Sequence, residues 1–330
     1  MSLLPAALIA SALLAMTIGR YPLSVGEILG YAAAGLGLDD IPADRADMLH
    51  NVIVEIRLPR VMAAALVGAA LASSGAAFQA VFRNPLVSPG ILGVLGGASF
   101  GAALGILLSG HWLVIQLSAF AMALLAVGIG VGVANLFGPA SIVMLVLGGM
   151  ISGALFTSLL SIVKYTADPN DQLPAIVYWL MGSLGNLDLR QVAFAGAPII
   201  LGSAILAALG RALDALSMGD DEARSLGVPV DLLRYTVIAL ATLISALSVS
   251  LAGMIGWVGL VVPHAARMLL GPLNARLLPA SALLGATFLI LADCLARSIA
   301  RAEVPIGVVT ELLGVPAFIL VLRHARRGWL

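Results

Sequence analysis

The stretch ILGVLGGASFGAALGILLSG at residues 91–110 lies inside the longest uncharged run of the chain. That run covers residues 84–163, and its 80 residues include no Asp, Glu, Lys or Arg. A membrane-spanning helix needs about 20 predominantly apolar residues. With turns near 110–111 and 135–139, we expect three membrane-spanning helices in this run.

The composition of the whole chain supports this interpretation. Hydrophobic residues make up 61% of the 330 residues and charged residues only 10%, whereas about a quarter of the residues in a soluble domain are charged. A soluble fold of this length could not bury so much apolar surface. We therefore exclude a soluble enzyme and predict an all-α integral membrane protein with about ten transmembrane helices, forming one domain over residues 1–330.

The charged residues and the cysteine exclude further classes. The 17 basic and 17 acidic residues cancel, and no basic stripe of the kind that nucleic-acid binding requires is present. The single cysteine, Cys294, excludes an internal disulfide. The four histidines show no metal-ligand spacing, so we expect neither a metal site nor a cofactor in this chain.

The remaining uncharged runs predict the other spans. A retained first span is expected at the amino terminus rather than a removed signal peptide, because no basic segment precedes it. Glycines and Pro263 predict that 235–266 holds a full helix followed by a short or re-entrant one. Besides the three helices of the long run, the expected spans are 1–19, 61–82, 191–210, 235–266, 277–296 and 304–322.

Glycines recur every four residues along the helix that is expected after residue 93, at Gly93, Gly97, Gly101 and Gly105. Such a stripe lets two helix backbones approach closely in lipid. Close helix packing is one interpretation, and a sliding contact in a moving transporter is the other.

Two polar segments are predicted to be extracytoplasmic loops. The first is 20–60, where Ser24 and Glu27 form a capping box that starts a short helix. The second is 164–190, which includes a short helix near 172–184.

A third polar segment, 211–230, is predicted to lie in the cytoplasm. Its basic residues and those of the carboxyl-terminal tail at 323–327 agree with the positive-inside rule. With an even number of spans, both termini then lie in the cytoplasm.

Known energy-coupling and catalytic motifs are absent from the sequence. No phosphate-binding Gly-x-x-x-x-Gly-Lys motif is present, and no nucleophile–base or metal constellation indicates an intramembrane enzyme. Asp293 is one helical turn from Arg297, which predicts an ion pair. Glu311 lies in an apolar segment, where a carboxylate is costly unless it faces protein or water, and a helix terminus or an interhelical hydrogen bond is the expected environment. We therefore expect a permease driven by other subunits, or an ion-coupled transporter in which Asp293 or Glu311 carries a proton.

The cytoplasmic segment contains several residues that typically start or end helices. Gly219 ends one helix, and Asp220 is placed to cap a second, very short one. Gly227 fits a left-handed carboxyl-terminal position, and Pro229 prevents continuation. The pattern predicts a stiff knob on which a partner could push, although it also fits an ordinary capped loop.

Together the motifs of the chain resemble those of the FecCD-type permeases of bacterial ABC importers. The resemblance covers nearly the whole chain. The motifs that carry it are Arg57-Leu-Pro-Arg60 with Val67–Gly75, Gln79–Leu86 with Pro89–Gly93, Gly219–Gly227, Gly256–His264 with Arg267, Leu291–Asp293, and Pro305–Thr310 with Gly314 and Pro316.

The resemblance implies an assembly and a location. It implies a ten-helix subunit of the cobalamin and iron-chelate type that forms a homodimer around the pathway, in the inner (plasma) membrane of a bacterium. Two cytosolic ATPase subunits would bind ATP and Mg, and an extracytoplasmic solute-binding protein would deliver the cargo.

The resemblance also implies roles for particular residues. It assigns docking of the binding protein to Arg57, Arg60 and Arg297, which we expect to be exposed and to contact carboxylates. The cytoplasmic gate and pathway fall on Gln79, Asn84, Leu86 and Ser141. ATPase coupling falls on Gly219, Asp220, Asp221, Glu222, Ala223, Arg224, Ser225, Leu226 and Gly227.

The expected cargo is a metal chelate. No cluster of His, Cys, Asp or Glu lies along the predicted spans, so a bare metal ion would find no ligands. A ferric siderophore or another iron complex is the favoured cargo, and haem, cobalamin and molybdate stay open as cargoes.

Overall fold

The computed structural model describes residues 3–19, 21–38, 40–136 and 141–328, with side chains up to residue 320 and at residue 323. Within these ranges the regular structure is entirely helical. The helices are α1 Leu3–Thr17, α2 Val25–Gly35, α3 Ala43–His50, a π-helical turn Asn51–Arg57, α4 Leu58–Phe82, a 3₁₀ turn Pro89–Leu92, α5 Val94–Leu108, α6 Trp112–Leu136, α7 Ile142–Thr166, α8 Gln172–Leu180, α9 Leu189–Ala208, α10 Gly210–Met218, α11 Asp220–Ser225, α12 Val230–Ala252, α13 Val258–Leu270, α14 Asn274–Ser298 and α15 Ile306–Gly328.

Apolar helices of two lengths account for the membrane-embedded part of the described chain. Six are long and apolar enough to cross a bilayer: Ala43–Phe82, Trp112–Leu136, Ile142–Thr166, Leu189–Ala208, Val230–Ala252 and Asn274–Ser298. Four shorter apolar helices accompany them: Leu3–Thr17, Val94–Leu108, Val258–Leu270 and Ile306–Leu320. The chain is therefore a multi-pass membrane protein, whereas ten full crossings and cytoplasmic termini stay predictions.

The first polar segment differs from its predicted outline. Its capping box is confirmed. The Ser24 side chain accepts a hydrogen bond from the Glu27 backbone amide, and the Glu27 side chain accepts one from the Ser24 backbone amide. The helix that follows begins at Ala43 and continues through the π-helical turn Asn51–Arg57 to Phe82. The charged residues between 43 and 60 therefore do not end the helix. At 40 residues it is longer than a bilayer core requires, so the expected span start at residue 61 stays a prediction.

The predicted break in the 235–266 region is confirmed. Helix α12 ends at Ala252, and α13 begins at Val258. The intervening turn needs a left-handed backbone at Gly253, with φ 72°, and at Trp257, with φ 67°. This conformation is unusual for a bulky residue such as tryptophan, and the packing of Trp257 against the face of α15 holds it in place.

Helix α4 forms the centre of the bundle. It packs against α14, α12, α9 and α13, and most of its side chains are buried. At Gly68 the backbone touches that of Gly285 on α14, and at Gly75 it touches that of Gly259 on α13, with no room for a Cβ atom at either crossing. Backbone-to-backbone contact of this kind maximises dispersion contacts where lipid provides no hydrophobic drive.

The glycine stripe packs two neighbouring helices together. Gly97, Gly101 and Gly105 of α5 each lie against the backbone of α6. Gly93 instead precedes α5 and faces α7, with φ 87°. The structure therefore agrees with the packing interpretation.

We predict that Gly285→Val separates α4 from α14, because the added carbons would occupy the position of the Gly68 carbonyl and the Ala72 side chain. Overpacking of this kind costs about 1–3 kcal/mol, so the melting temperature in detergent should fall clearly. Gly128→Val on α6 is the control, since nothing lies within 4 Å of its added Cβ. Equal melting temperatures for the two variants would contradict the prediction.

Candidate functional site

The coupling segment, Gly219–Gly227, is a short helix closed at its carboxyl-terminal end. The amide of Val228 donates to the Ala223 carbonyl at 3.0 Å, and the amide of Gly227 donates to the Arg224 carbonyl at 3.0 Å. These two bonds, with φ 79° at Gly227, form a Schellman motif. The predicted stiff carboxyl-terminal cap is confirmed.

Asp220 has a different role from the predicted cap. The residue before the helix is Gly219, which makes no side-chain cap, and Asp220 is the first helical residue. Its carboxylate accepts from Arg83 at 3.1 Å and from Arg234 at 2.7 Å. Two arginines from other elements outcompete the local backbone amides, because charge-assisted hydrogen bonds are stronger than neutral ones.

These arginines also set the charge state of Asp220. Partial burial raises the pKa of Asp220, but the hydrogen bond and charge of Arg234, followed by the charges of Arg83 and Arg224, bring its pKa below the ordinary value. The carboxylate therefore stays ionised at neutral pH and keeps both ion pairs.

Asp220 connects the coupling segment directly to the predicted gate. Arg83 is the left-handed residue, with φ 50°, that ends α4, and Asn84 follows it. The Asn84 side chain accepts from the Leu86 amide at 2.9 Å, which shapes the turn, and Leu86 is exposed at its tip. The Arg83–Asp220 ion pair therefore joins α11 to the residue that precedes this turn.

Helix α10, on the other side of the coupling segment, is joined to α14. The Asp214 carboxylate accepts from the amides of Asn274 at 2.5 Å and of Ala275 at 3.4 Å, at the start of α14. The Asn274 side-chain amide also donates a hydrogen bond to the Ser217 hydroxyl on α10 at 3.2 Å. A carboxylate at a helix amino terminus is favourable, so the helix that leads into the coupling segment is joined to α14.

The outer face of the coupling segment is free for a partner. The Asp221 side chain is 96% exposed, and its ion pair with Arg224 at 3.2 Å lies in solvent, where such pairs contribute little. Met218 and Leu226 are large exposed apolar side chains that flank this charged face. Ala223 points inward and is fully buried.

Of two further predicted gate residues, Gln79 is buried and Ser141 is exposed. Gln79 is only 3% exposed, and its side-chain oxygen accepts from Arg267 at 3.0 Å, so the expectation that it faces the pathway is corrected. Ser141 is the N-cap of α7 and accepts from the Met144 amide at 3.2 Å. Residues 137–140, which precede it, lie outside the described residues.

An arginine cluster joins α4 to α14 at the end opposite the coupling segment. The predicted pair of Asp293 and Arg297 is confirmed, at 3.1 Å. Arg60 also binds Asp293, at 2.9 Å, and binds Glu303 at 2.8 Å. Asp293 is only 1% exposed, so both arginines are needed to compensate its burial.

The expected exposure of the docking arginines is wrong. Arg57 is 3% exposed and donates to the backbone carbonyls of Met16 and Tyr21. Arg297 donates to the Ile18 carbonyl at 2.8 Å, and Arg60 is buried against its carboxylates. Arg57 and Arg297 therefore bind the end of α1 to the bundle. This role depends on tertiary contacts, which the local sequence does not show.

Arg83 and Arg234 are the functional residues that sequence reasoning missed. The Arg83–Asp220 pair joins residues 137 positions apart, so no spacing rule indicates it. A partial signal was available, because Arg83 directly ends a long apolar helix and needs a counter-charge near the membrane surface.

We predict that Asp220→Asn loosens the coupling segment, because Arg234 then loses the closer of its two carboxylate partners and keeps only Asp231, at 3.5 Å. The expected loss is about 1–3 kcal/mol, seen as faster hydrogen exchange of the backbone amides in α11 and in the turn after Arg83. Asp221→Asn, on the exposed face, should leave these rates unchanged. Because the folded pKa is lowered, the stabilisation is complete at neutral pH and is lost only as the pH falls through that lowered pKa. If the difference in exchange rates between Asp220→Asn and Asp221→Asn grew as the pH was lowered, the assignment would be contradicted.

We predict a larger effect for Asp293→Ala. The variant leaves Arg60 and Arg297 buried with too little negative charge, which costs about 3–5 kcal/mol, measured as a lower denaturation midpoint in detergent. Glu303→Ala is the control, since its side chain is 39% exposed and its loss should cost about 1 kcal/mol or less. Similar midpoints for the two variants would show that Asp293 does not hold the cluster.

Comparison with known proteins shows which family this chain resembles. The model of the FecCD transport family matches residues 7–324. The molybdate import system permease protein MolB of Haemophilus influenzae is 39% identical over 331 residues, covering 97% of this chain and 94% of that protein. A Helicobacter pylori protein named "Probable iron chelatin transport system permease protein" is 40% identical over 278 residues, covering 84% of each chain.

A solved structure has the same architecture. A metal-chelate type ABC transporter in an inward-facing conformation superposes with a TM-score of 0.86 at 39% identity, covering 97% of both chains. The family model and the shared fold both extend over nearly all of the described residues. This chain therefore belongs to the FecCD transport family and is an ABC importer permease.

Proposed function

We propose that this chain is one of two identical permease subunits in an ATP-driven importer of a metal chelate. An extracytoplasmic binding protein delivers the chelate, and two cytosolic ATPase subunits, which bind ATP and Mg, drive its passage. The complex lies in a bacterial inner membrane, with the termini and residues 211–230 on the cytoplasmic side. The observation that carries the proposal is the ion-paired link from the coupling segment to the turn after α4.

The coupling segment fits an ATPase as its partner. Its outer face combines charged side chains with the exposed Met218 and Leu226, a mixture that suits a protein interface with an apolar centre and polar rim. Its inner face is bound to Arg83 and Arg234. When the ATPase subunits close, the force applied to α11 moves the ends of α4 and α12, and Leu86 moves with them.

The second copy fits against the helices that are least covered in this chain. Only 28% of the most apolar window of α7 is buried, and its outer half exposes the hydroxyl residues Thr157, Ser158 and Ser161. Helix α15 packs mainly against α13 and α14, and its opposite face is open. A pathway between two copies would use these two surfaces.

The arginine cluster fits the docking of an acidic binding protein, but with Arg60 as the arginine that would contact it. Three arginines in this cluster outnumber the two carboxylates, Asp293 and Glu303. Glu303 is partly exposed and holds one arm of Arg60. A carboxylate of the binding protein would take its place at Arg60, while Arg57 and Arg297 position the surface from below.

The cargo that we favour is a ferric siderophore or another iron complex. Among the described residues no three His, Cys, Asp or Glu side chains are placed to hold a metal ion, so the pathway suits a metal that is already wrapped by its chelator. The iron chelatin relative points the same way, whereas the MolB relative makes molybdate the main competitor. Haem and cobalamin are less favoured cargoes.

We predict that Glu222→Ala together with Arg224→Ala lowers ATP-driven uptake at least about tenfold, because the ATPase loses its charged contacts on α11. The measurement is accumulation of radioactive ferric chelate in proteoliposomes that contain the permease, the ATPase and the binding protein. Arg211→Ala is the matched control, being exposed in the same cytoplasmic segment but outside the coupling segment.

Two outcomes would count against the proposed function. Normal uptake by the double variant would show that α11 does not receive the ATPase. Uptake by the permease without any ATPase subunit would indicate an ion-coupled transporter, in which a carboxylate such as Asp293 carries a proton.

A further inference from the structure

Helix α15 exposes a carboxylate within an apolar face. Glu311 lies in its second turn and is exposed. The neighbouring side chains on this face are also exposed, with Leu312 at 67%, Val315 at 41% and Ile319 at 61%. An apolar face of this kind fits lipid or another protein, but an ionised carboxylate does not fit lipid. Glu311 therefore requires water or a protein partner beside it.

The charge of Glu311 is not compensated within the described part of the chain. None of its ion pairs involves Glu311, and no described side chain donates a hydrogen bond to it. The turn before α13 lies beside it, and the Glu311 carboxylate is 3.9 Å from the position that a Cβ on Gly256 would take. The absence of a side chain at Gly256 keeps that side of the carboxylate open.

The turn beside Glu311 is held in a fixed conformation. Trp257 has a left-handed backbone, with φ 67°. Its side chain packs over Gly314, and its ring contacts that of Phe318 in a tilted arrangement, with 5.8 Å between ring centres. All three residues belong to the contact between α13 and α15. The position of Glu311 is therefore set by packing and does not depend on a flexible loop.

We propose that Glu311 is a specificity-determining residue that gives the pathway a negative charge. The proposal rests on the proposed function, because it needs a second copy facing α15, which brings two Glu311 carboxylates to the shared surface. A narrow, low-dielectric passage lined by one sign of charge concentrates ions of the opposite sign. The pathway then accepts neutral and cationic chelates and disfavours oxyanions such as molybdate.

The test measures the local charge with reagents of opposite sign. Val315→Cys, one helical turn from Glu311, supplies a reporter thiol, and the buried Cys294 is replaced by alanine to give a single reactive cysteine. The complete importer is placed in lipid nanodiscs, where both membrane faces are open to solvent. The modification rate is measured with a trimethylammonium-ethyl and with a sulfonato-ethyl methanethiosulfonate.

We expect the ratio of the cationic to the anionic rate at Val315→Cys to fall about tenfold in Glu311→Gln. Glu311→Asp, which keeps the charge, should retain most of the ratio. A second reporter, His111→Cys, lies in the exposed turn between α5 and α6, and its ratio should not respond to Glu311. ATP-driven uptake by the parent importer is measured in parallel.

The outcomes separate this inference from the importer assignment. If the parent importer accumulates chelate but the ratio at Val315→Cys is the same with Glu311 and with Gln, the inference is overturned and the importer assignment stands. If neither reagent reaches Val315→Cys, this face is not wet, and the inference is also overturned. If uptake is absent while the ratio responds as expected, Glu311 sets a local charge and the proposed function fails.

Discussion

A charge near the apolar part of a bilayer must either be paired inside the protein or remain in contact with water, and this constraint organises the molecule. Placing a charged side chain at the centre of a membrane helix costs about 2.5–3.5 kcal/mol on insertion scales. Arg60 and Arg297 meet the constraint by sharing Asp293. At the other end of α4, Arg83 meets it by pairing with Asp220. Because so few residues are charged, each pair fixes the position of whole helices.

Close backbone contact meets the other requirement of a membrane fold. Lipid gives helices no hydrophobic reason to associate, so dispersion contacts must hold them together. The crossing of Gly68 with Gly285 and that of Gly75 with Gly259 bring α14 and α13 directly onto α4. The ion pairs Arg60–Asp293 and Arg83–Asp220 add polar links near the two ends of the same helix. The charge pairs and the glycine crossings therefore hold α4 together with its neighbours.

Local features were predictable from the sequence, and contacts between distant residues were not. The capping box of Ser24 and the left-handed Gly227 depend on neighbouring residues, and both agree with the structure. The helix break before α13 was also visible in its glycines. The burial of Arg57 was not visible, because its carbonyl partners belong to α1 and the turn after it. The start of the long helix at Ala43 was not visible either, because the charged residues between 43 and 60 interrupt the apolar run of the sequence without ending the helix.

Overall similarity to relatives informs the transport mechanism more than the cargo. This chain is 39% identical to a molybdate permease over nearly its whole length, and helix packing at glycine crossings does not depend on what is carried. The charge that a cargo meets depends instead on a few exposed side chains in the pathway. In the pathway that we propose, Glu311 would be such a side chain, and one carboxylate there changes which ions are concentrated. Selectivity by charge can therefore differ between relatives whose folds superpose closely.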